Sequence, residues 1–350
     1  MTTLGQQTHS ANDGIRAAII EAPGAEPRIG TIALGPRAAG TTLLQVLAAP
    51  LNPLDLVMAS GAFHSARYDV PYVPGSECAG VVLASDRYPA GALVYAECHA
   101  SPAMPGALAT HTVVVDEDLV LLPEGVDPVR GASVGNSGTT AFLALVDIAR
   151  LQPGETVLIL GGTGAVGQLA VQVARDRGAG RIVAVGRDRT ALNHVISLGA
   201  DAAIEVRADD EEEQLAKRLL AAVDTVDVVL DGLYGVPLQA AVRLCAQRAR
   251  VVNIGNLAGG TAQLPAGLLR GRQLTVTGFA GLHTPLREKL GALEWLWREV
   301  ARSGLRMDLQ IFSLQELPAA WRTQRASPHA KCVIRPNIAP GGTTIRSDQL

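Results

Sequence analysis

The chain is poor in lysine, aromatic residues and cysteine. Only three of its 350 residues are lysine (Lys217, Lys289 and Lys331) within a total of 30 lysines and arginines. This bias toward arginine reads as the base composition of a genome and not as chemistry. The net charge is −3, and no basic block stands out. That argues against nucleic acid or a membrane surface as partner. No apolar run approaches the roughly 20 residues of a helical membrane span. The segment Met1 to Gly14 is polar with no hydrophobic core, so no secretory signal is visible and a cytoplasmic protein is expected. The four cysteines, Cys78, Cys98, Cys245 and Cys332, lie far apart and form no CxxC. A disulfide framework and a structural zinc site therefore lack support. What is present is 48% apolar and 18% charged residues, a globular composition. The length is enough for two domains with cores of their own.

Short apolar runs broken by glycine and proline fill the first third: Ala17–Ile20, Leu43–Leu47, Ala79–Ala84, Leu93–Ala96 and Thr112–Val115. Strands at this density suggest a β-rich, barrel-like domain. From about Pro128 the texture changes. Val129–Ala149 reads as an apolar helix interrupted around Gly135–Gly138, and then strands and helices alternate from Thr156 to Ile254. Alternation of this kind predicts a parallel sheet with helices on both faces. Pro285–Ser303 is a helix, and its Trp295 and Trp297 read as core. Leu309–Phe312, Leu317–Gln324 and Lys331–Arg335 close the chain as strand, helix, strand. The acidic run Asp209–Glu213 sits where a helix should begin and complements its dipole.

The most informative stretch is Thr156–Gly167. The apolar run Thr156–Leu160 ends in Gly161-Gly162-Thr163-Gly164-Ala165-Val166-Gly167, with glycines three apart at 161, 164 and 167. Val166, Leu169, Ala170 and Val173 then mark one helix face. Strand, glycine turn and helix form the context that makes such a turn a dinucleotide site. Glycines let the backbone approach a pyrophosphate, and the helix start offers unpaired N–H groups and a positive dipole end. Beyond the second strand comes Gly186-Arg187-Asp188-Arg189. An acidic residue in that region selects NAD, and arginine suits a 2′-phosphate. Asp188 is placed to cap the next helix. Arg187 and Arg189 therefore predict NADPH.

Several ordered motifs now carry a family resemblance: Asn52-Pro53-Leu54-Asp55, Pro74-Gly75-Ser76-Glu77-Cys78-Ala79-Gly80-Val81-Val82, Gly138-Thr139-Thr140-Ala141, Ser197-Leu198-Gly199-Ala200-Asp201 and Ala330-Lys331-Cys332-Val333-Ile334. With these the chain resembles the medium-chain dehydrogenase/reductase superfamily, in its zinc-free quinone oxidoreductase (zeta-crystallin-like) branch. The resemblance implies an α/β protein with a GroES-like catalytic domain over 15–127 and 272–336 and a Rossmann domain over 128–271. A flexible leader (1–14) and tail (337–350) are expected outside them. It further implies that Thr140 contacts the nicotinamide or its ribose. Gly255-Asn256 and Phe279-Ala280-Gly281 would lie along the nicotinamide face, and Asn52 and Lys331 would line the cofactor end of the site. A homodimer is the usual expectation.

Zinc-dependent relatives need a soft Cys/His site. Here the stretch that would carry the first cysteine reads Asn52-Pro53-Leu54-Asp55 and the histidine position is Ser76, so no metal is expected. Without a Lewis acid for an alkoxide, the expected reaction is hydride transfer from NADPH to a quinone or to an activated C=C, where charge delocalises onto a conjugated oxygen. Asn52, Asp55 and Thr140 are the candidate catalytic residues. The branch often carries tyrosines two and eight residues past the motif aspartate; here those positions are Val57 and Phe63, which leaves the proton donor open. Phe63, Tyr68, Tyr72 and His99 are the candidate substrate residues, in a site expected to be mainly apolar. Two alternatives share the fold: an enoyl-thioester reductase, and a pathway-specific reductase or cyclase. A non-catalytic NADPH-binding sensor is the alternative from another class.

Overall fold

The computed structural model describes residues 14–62 and 69–346. Phe63 and Tyr68, both expected at the substrate, lie outside the described residues, as does nearly all of the leader. The chain divides into two compact units, residues 14–133 with 309–345 and residues 134–308.

The first unit is organised on one long strand, Thr41–Pro50, in which buried and half-buried positions alternate until the last three residues are all buried. This is the period-two pattern of a strand with one face in a core. It pairs antiparallel with Glu77–Ala84, with His111–Val115 and with the late strand Lys331–Arg335. Leu93–Glu97 extends the sheet beyond Glu77–Ala84. The inward faces and the helix Leu317–Arg325 enclose a core that includes Leu44, Val46, Val82, Val94, Trp321 and Ile334. The helix Pro53–Ser60 follows the long strand directly. Pro53 fits its first turn, where the missing N–H costs nothing.

The second unit carries six parallel strands: β1 (Thr156–Leu160), β2 (Arg181–Gly186), β3 (Ala202–Glu205), β4 (Val226–Asp231), β5 (Cys245–Asn253) and β6 (Thr275–Gly278). Their order across the sheet is β3-β2-β1-β4-β5-β6. The order reverses between β1 and β4, and in an open α/β sheet a ligand binds beyond the strand C-termini at such a point. The expected α/β class, with a parallel sheet and a separate β-rich unit, is what the molecule has. Asp188 caps the helix Arg189–Ser197 by accepting from Ala191 N–H at 2.8 Å. Asp209–Glu213 leads into the helix Glu212–Leu220 as its charge predicts. Trp295 is buried with its ring 5.6 Å from that of Phe142, and Trp297 is also buried.

Three expectations need correction. The boundary placed at 272 falls at 309. Thr275–Gly278 pairs in parallel with Cys245–Asn253 as the sixth strand, and the next helix, Leu286–Ala301, belongs to the same unit. Leu296 of that helix fills the notch at Gly138, where an added Cβ would meet it at 2.7 Å. The earlier boundary moves from 128 to 134, because the helix Pro128–Ser133 stays with the first unit. The tail is not simply frayed: Thr343–Ile345 forms a strand antiparallel to Leu309–Ser313. The Glu316 carboxylate holds its approach by accepting from Gly341 N–H at 2.9 Å and Gly342 N–H at 3.1 Å.

Candidate active site

The first unit buries a polar cluster where the long strand passes into the helix Pro53–Ser60. Asn52 is the junction and is buried. Its backbone N–H donates to Asp55 Oδ2 at 2.8 Å, so Asp55 closes the helix start. Its side-chain amide then reaches three partners. Nδ2 donates to Glu77 Oε1 at 2.8 Å and to Ser76 Oγ at 3.2 Å, and Oδ1 accepts from Lys331 Nζ at 2.6 Å. Lys331 Nζ also lies 3.6 Å from Glu77 Oε1, and Tyr95 OH donates to Glu77 Oε2 at 2.8 Å. Four places in the chain supply them: the strand–helix junction gives Asn52 and Asp55, the bend into Glu77–Ala84 gives Ser76 and Glu77, Leu93–Glu97 gives Tyr95 and Lys331–Arg335 gives Lys331. Gly75, at φ +113, makes the bend that delivers Ser76 and Glu77. It packs so closely on Leu108 that a Cβ would meet the Leu108 backbone nitrogen at 2.6 Å.

Burial sets the electrostatics. It pushes the Asp55 carboxyl up to about 6, with neighbouring Glu77 adding to the rise; the Asn52 N–H, the Ser76 hydroxyl and Lys331 oppose it. Burial likewise lowers Lys331, while Glu77 and Asp55 hold its proton on. Burial and the nearby Glu77 raise the Tyr95 hydroxyl well above the usual tyrosine range, so it stays a donor. A hydrogen bond with Cys78, reinforced by burial, pushes the Cys98 thiol well up.

Of the expected site residues in this unit, the structure brings Asn52, Asp55 and Lys331 together. Tyr72 is buried and lines a small cavity beside Asp55. His99 does not join them: it is exposed, with Nε2 3.5 Å from Asp118 Oδ2. Tyr95 was missed by sequence reasoning. Alternation gave no signal for it: Val94 and Ala96 face the core, and Tyr95 between them is buried on the other face, where its hydroxyl finds Glu77.

The second unit offers the dinucleotide end. Gly161, at φ +89, turns the chain at the end of β1. Gly162 and Gly167 are there for closeness. A Cβ on Gly162 would meet Ala184 Cβ at 2.8 Å, and one on Gly167 would meet Gly161 O at 2.3 Å. Gly164 is different: a Cβ there would find only Gly161 O, at 3.6 Å. It stands at the N-cap of the helix Ala165–Asp176, with no side chain capping that helix. The open space at Gly164 and the uncapped N–H groups form a cradle of the kind a phosphate fills. Gln168 Nε2 donates to Thr163 O at 2.8 Å and fixes the turn through Thr163, Ala165 and Val166.

Gly186 ends β2 against Thr163, whose Cγ2 a Cβ would meet at 2.7 Å. Arg187 follows and is exposed. Arg189 is committed elsewhere, with NH2 2.9 Å from Glu205 Oε2 at the end of β3. Asp231, buried at the end of β4, accepts from Leu233 N–H, Tyr234 N–H and Asn253 Nδ2 at 2.8–3.0 Å. These bonds shape the turn against which Gly255 packs: a Cβ there would meet Gly232 O at 2.9 Å. Asn256, beside it, is exposed. The Phe279-Ala280-Gly281 segment comes against Thr140, since a Cβ on Gly281 would lie 3.0 Å from Thr140 Oγ1.

These residues fit a dinucleotide and do not fit zinc. Among the described residues, no group of three or more His, Cys, Asp and Glu side chains is placed to hold a metal. Around Asn52 the donors are an amide, a hydroxyl and a carboxyl paired with an ammonium, not the Cys and His set that zinc takes.

Comparison with known proteins agrees with this division. The family described as "Alcohol dehydrogenase GroES-like domain" matches residues 38–124, and "Zinc-binding dehydrogenase" matches residues 165–298. A quinone oxidoreductase of Sus scrofa is 29% identical over 214 residues, covering 61% of this chain and 64% of its own length. The chain thus spans somewhat under two thirds of that relative. An NADPH-dependent alkenal/one oxidoreductase of Arabidopsis thaliana is 31% identical over 61% of this chain and 53% of its own. The solved quinone oxidoreductase of Thermus thermophilus, also crystallised with NADPH, is 30% identical with a TM-score of 0.75, over 91% of this chain and 99% of that one.

Proposed function

Because this chain belongs to the quinone oxidoreductase branch of the medium-chain dehydrogenases and reductases, we propose that it is an NADPH-dependent, zinc-independent reductase of a quinone or of the C=C of an α,β-unsaturated carbonyl. The observation that carries this reading is the donor set at Asn52. Where a zinc enzyme would present soft ligands, this chain has a buried amide, a hydroxyl, a carboxyl and an ammonium in one hydrogen-bonded network. Such a network orients and polarises, but it supplies no Lewis acid for an alcohol's oxygen. A conjugated acceptor needs less, because its charge spreads onto a remote oxygen.

Bound NADPH supplies the hydride; the chain's residues supply position and charge. We assign the pyrophosphate to the Gly161–Val166 turn and the helix start behind it. The 2′-phosphate is assigned to Arg187, at the edge beyond Gly186, with Arg189 beside it. Thr140, Gly255, Asn256 and Phe279–Gly281 are assigned to the nicotinamide and its ribose. Asn52 and Lys331 hold the cofactor end of the polar cluster, where the Lys331 ammonium favours negative charge developing on an acceptor oxygen. Tyr72 is assigned to the acceptor's surroundings. A cytoplasmic homodimer is part of the proposal. The open edge at β6, where Val276 is 42% exposed, supports the dimer.

The test is NADPH oxidation with quinones, enones and enoyl thioesters, alongside elemental analysis. Acceptor-dependent oxidation with quinones or enones, on zinc-free protein, is expected. Tight NADPH binding with no oxidation by any of the three classes would point instead to a sensor. Stoichiometric zinc would overturn the metal-free reading.

A further inference from the structure

Beside the polar cluster lies a cavity of about 10 Å³, lined by Asp55, Met58, Tyr72, Ser76, Cys98 and Ala100 among others. That is room for one water molecule. Met58, Ala100 and the ring of Tyr72 make much of its wall apolar, so a polar group facing it is conspicuous. Asp55 is such a group. It is 1% exposed; Oδ2 accepts from Asn52 N–H, while Oδ1 has no hydrogen-bond partner among the described residues. A buried oxygen left without a partner is costly, and a water or a proton is the usual remedy. Ser76 borders the same space; its Oγ accepts from Asn52 Nδ2, and its hydroxyl is one of the groups that hold the Asp55 carboxyl down.

We propose that Asp55, in its protonated form, is the proton source of the reduction and acts through a single water seated in this cavity beside Ser76. The proposal rests on the reductase reading above and fills the place of the hydroxyls absent at Val57 and Phe63. Hydride adds to the β-carbon of an enone, and the electron pair of the C=C moves to the carbonyl oxygen as an enolate. The water's O–H bond breaks as its proton bonds to the α-carbon. At the same time the water takes the Asp55 proton, so Asp55 is left as a carboxylate and is reprotonated from solvent. With a quinone the proton goes to oxygen instead.

Of the groups facing Asp55, Glu77 on the neighbouring strand raises its affinity for a proton, while the Asn52 N–H, the Ser76 hydroxyl and Lys331 on the strand Lys331–Arg335 lower it; the hydrogen bond with Cys78 and burial keep the Cys98 thiol on the cavity wall neutral. Burial outweighs the rest, and the carboxyl titrates near 6. Activity that needs the protonated form falls as pH rises through that value.

The test compares wild type with Asp55→Asn and Ser76→Ala. Asparagine keeps an oxygen for the Asn52 N–H but has no acidic proton. In wild-type protein carrying 13C-labelled aspartate, one carboxyl resonance should titrate near 6 and vanish in Asp55→Asn, with no turnover required. The kcat/KM profile with an enone should fall above about pH 6 in wild type. Asp55→Asn should lose about 100-fold and that limb with it. Ser76→Ala should lose about tenfold and keep the limb. A carboxyl titrating at the ordinary aspartate value, or an Asp55→Asn rate within about threefold of wild type with an unchanged profile, overturns the proposal. Wild type that oxidises NADPH with no quinone or enone overturns the reductase reading, and this proposal with it. Turnover by wild type with an indifferent Asp55→Asn overturns the proton source alone.

Discussion

Lys331 Nζ sits 2.6 Å from Asn52 Oδ1, tying the strand Lys331–Arg335 to the residue that opens the helix Pro53–Ser60. The same ammonium is 3.6 Å from Glu77 Oε1, and both side chains are almost fully buried. A buried charge is tolerated only with its partner. Lys331→Met should therefore cost about 3–5 kcal/mol, since Glu77 would be left uncompensated. Adding Glu77→Gln should restore at least half of that loss. Urea unfolding of the two single variants and the double variant measures the coupling, and additive losses would show that the pair does not act as a unit.

Two glycines of one turn should behave in opposite ways. At Gly167 an added Cβ would lie 2.3 Å from Gly161 O, a clash with backbone that cannot rotate away. Gly167→Ala should destabilise by about 3 kcal/mol or more. At Gly164 the space is open and the backbone, at φ −77 and ψ 167, suits any residue. Gly164→Ala should keep stability within about 0.5 kcal/mol and lower dinucleotide affinity about tenfold by filling the phosphate cradle. Thermal unfolding and NADPH titration separate the two effects. Unchanged affinity in Gly164→Ala would remove the cradle from that position.

This contrast marks how far the sequence could be read. The strand, turn and helix around Gly161–Gly167 were legible, because glycine spacing and helical periodicity are local signals. The reason for each glycine was not, since closeness to Ala184 or to a ligand depends on tertiary packing. The same holds for the arginines after β2. Their chemistry was legible, but the engagement of Arg189 by Glu205 depends on β3 lying beside β2. Asn52, Asp55 and Lys331 could be named from motifs, whereas Tyr95 joins them only through its strand's place in the sheet. The edge strand Thr275–Gly278 fell in the range expected for the other unit, because pairing partners are not written in a four-residue segment.

Glu316 gathers four bonds, from Ser313 N–H and Oγ and from the N–H groups of Gly341 and Gly342. The backbone donors at Ser313 and Gly342 are the main cause that holds its carboxyl down to about 2. A lowered value means that its contribution is present at neutral pH and is lost as pH falls toward 2. The amide shifts of Gly341 and Gly342 should therefore titrate together near pH 2. In Glu316→Ala, hydrogen exchange at Thr343–Ile345 should accelerate about tenfold, because the strand loses the anchor at its start. Unaltered exchange would show that pairing with Leu309–Ser313 holds the strand unaided.

Arg187 and Arg189 are close in sequence but not equivalent. Arg189 NH2 lies 2.9 Å from Glu205 Oε2, and that bond is the main cause lowering the Glu205 carboxyl and raising the Arg189 guanidinium. Arg187 is exposed beyond Gly186. A 2′-phosphate should therefore depend on Arg187 first. Arg187→Ala should weaken NADPH about 10- to 100-fold, the loss of a charge-assisted bond, and leave NADH nearly unchanged. Arg189→Ala should cost NADPH less than about fivefold, because much of that charge is already neutralised. Glu205→Gln frees Arg189 and removes a negative charge beside the site, so NADPH should bind more tightly while NADH does not. Titrations of all three variants with both dinucleotides decide the matter, and equal losses for NADPH and NADH in Arg187→Ala would take the 2′-phosphate away from this edge of the sheet.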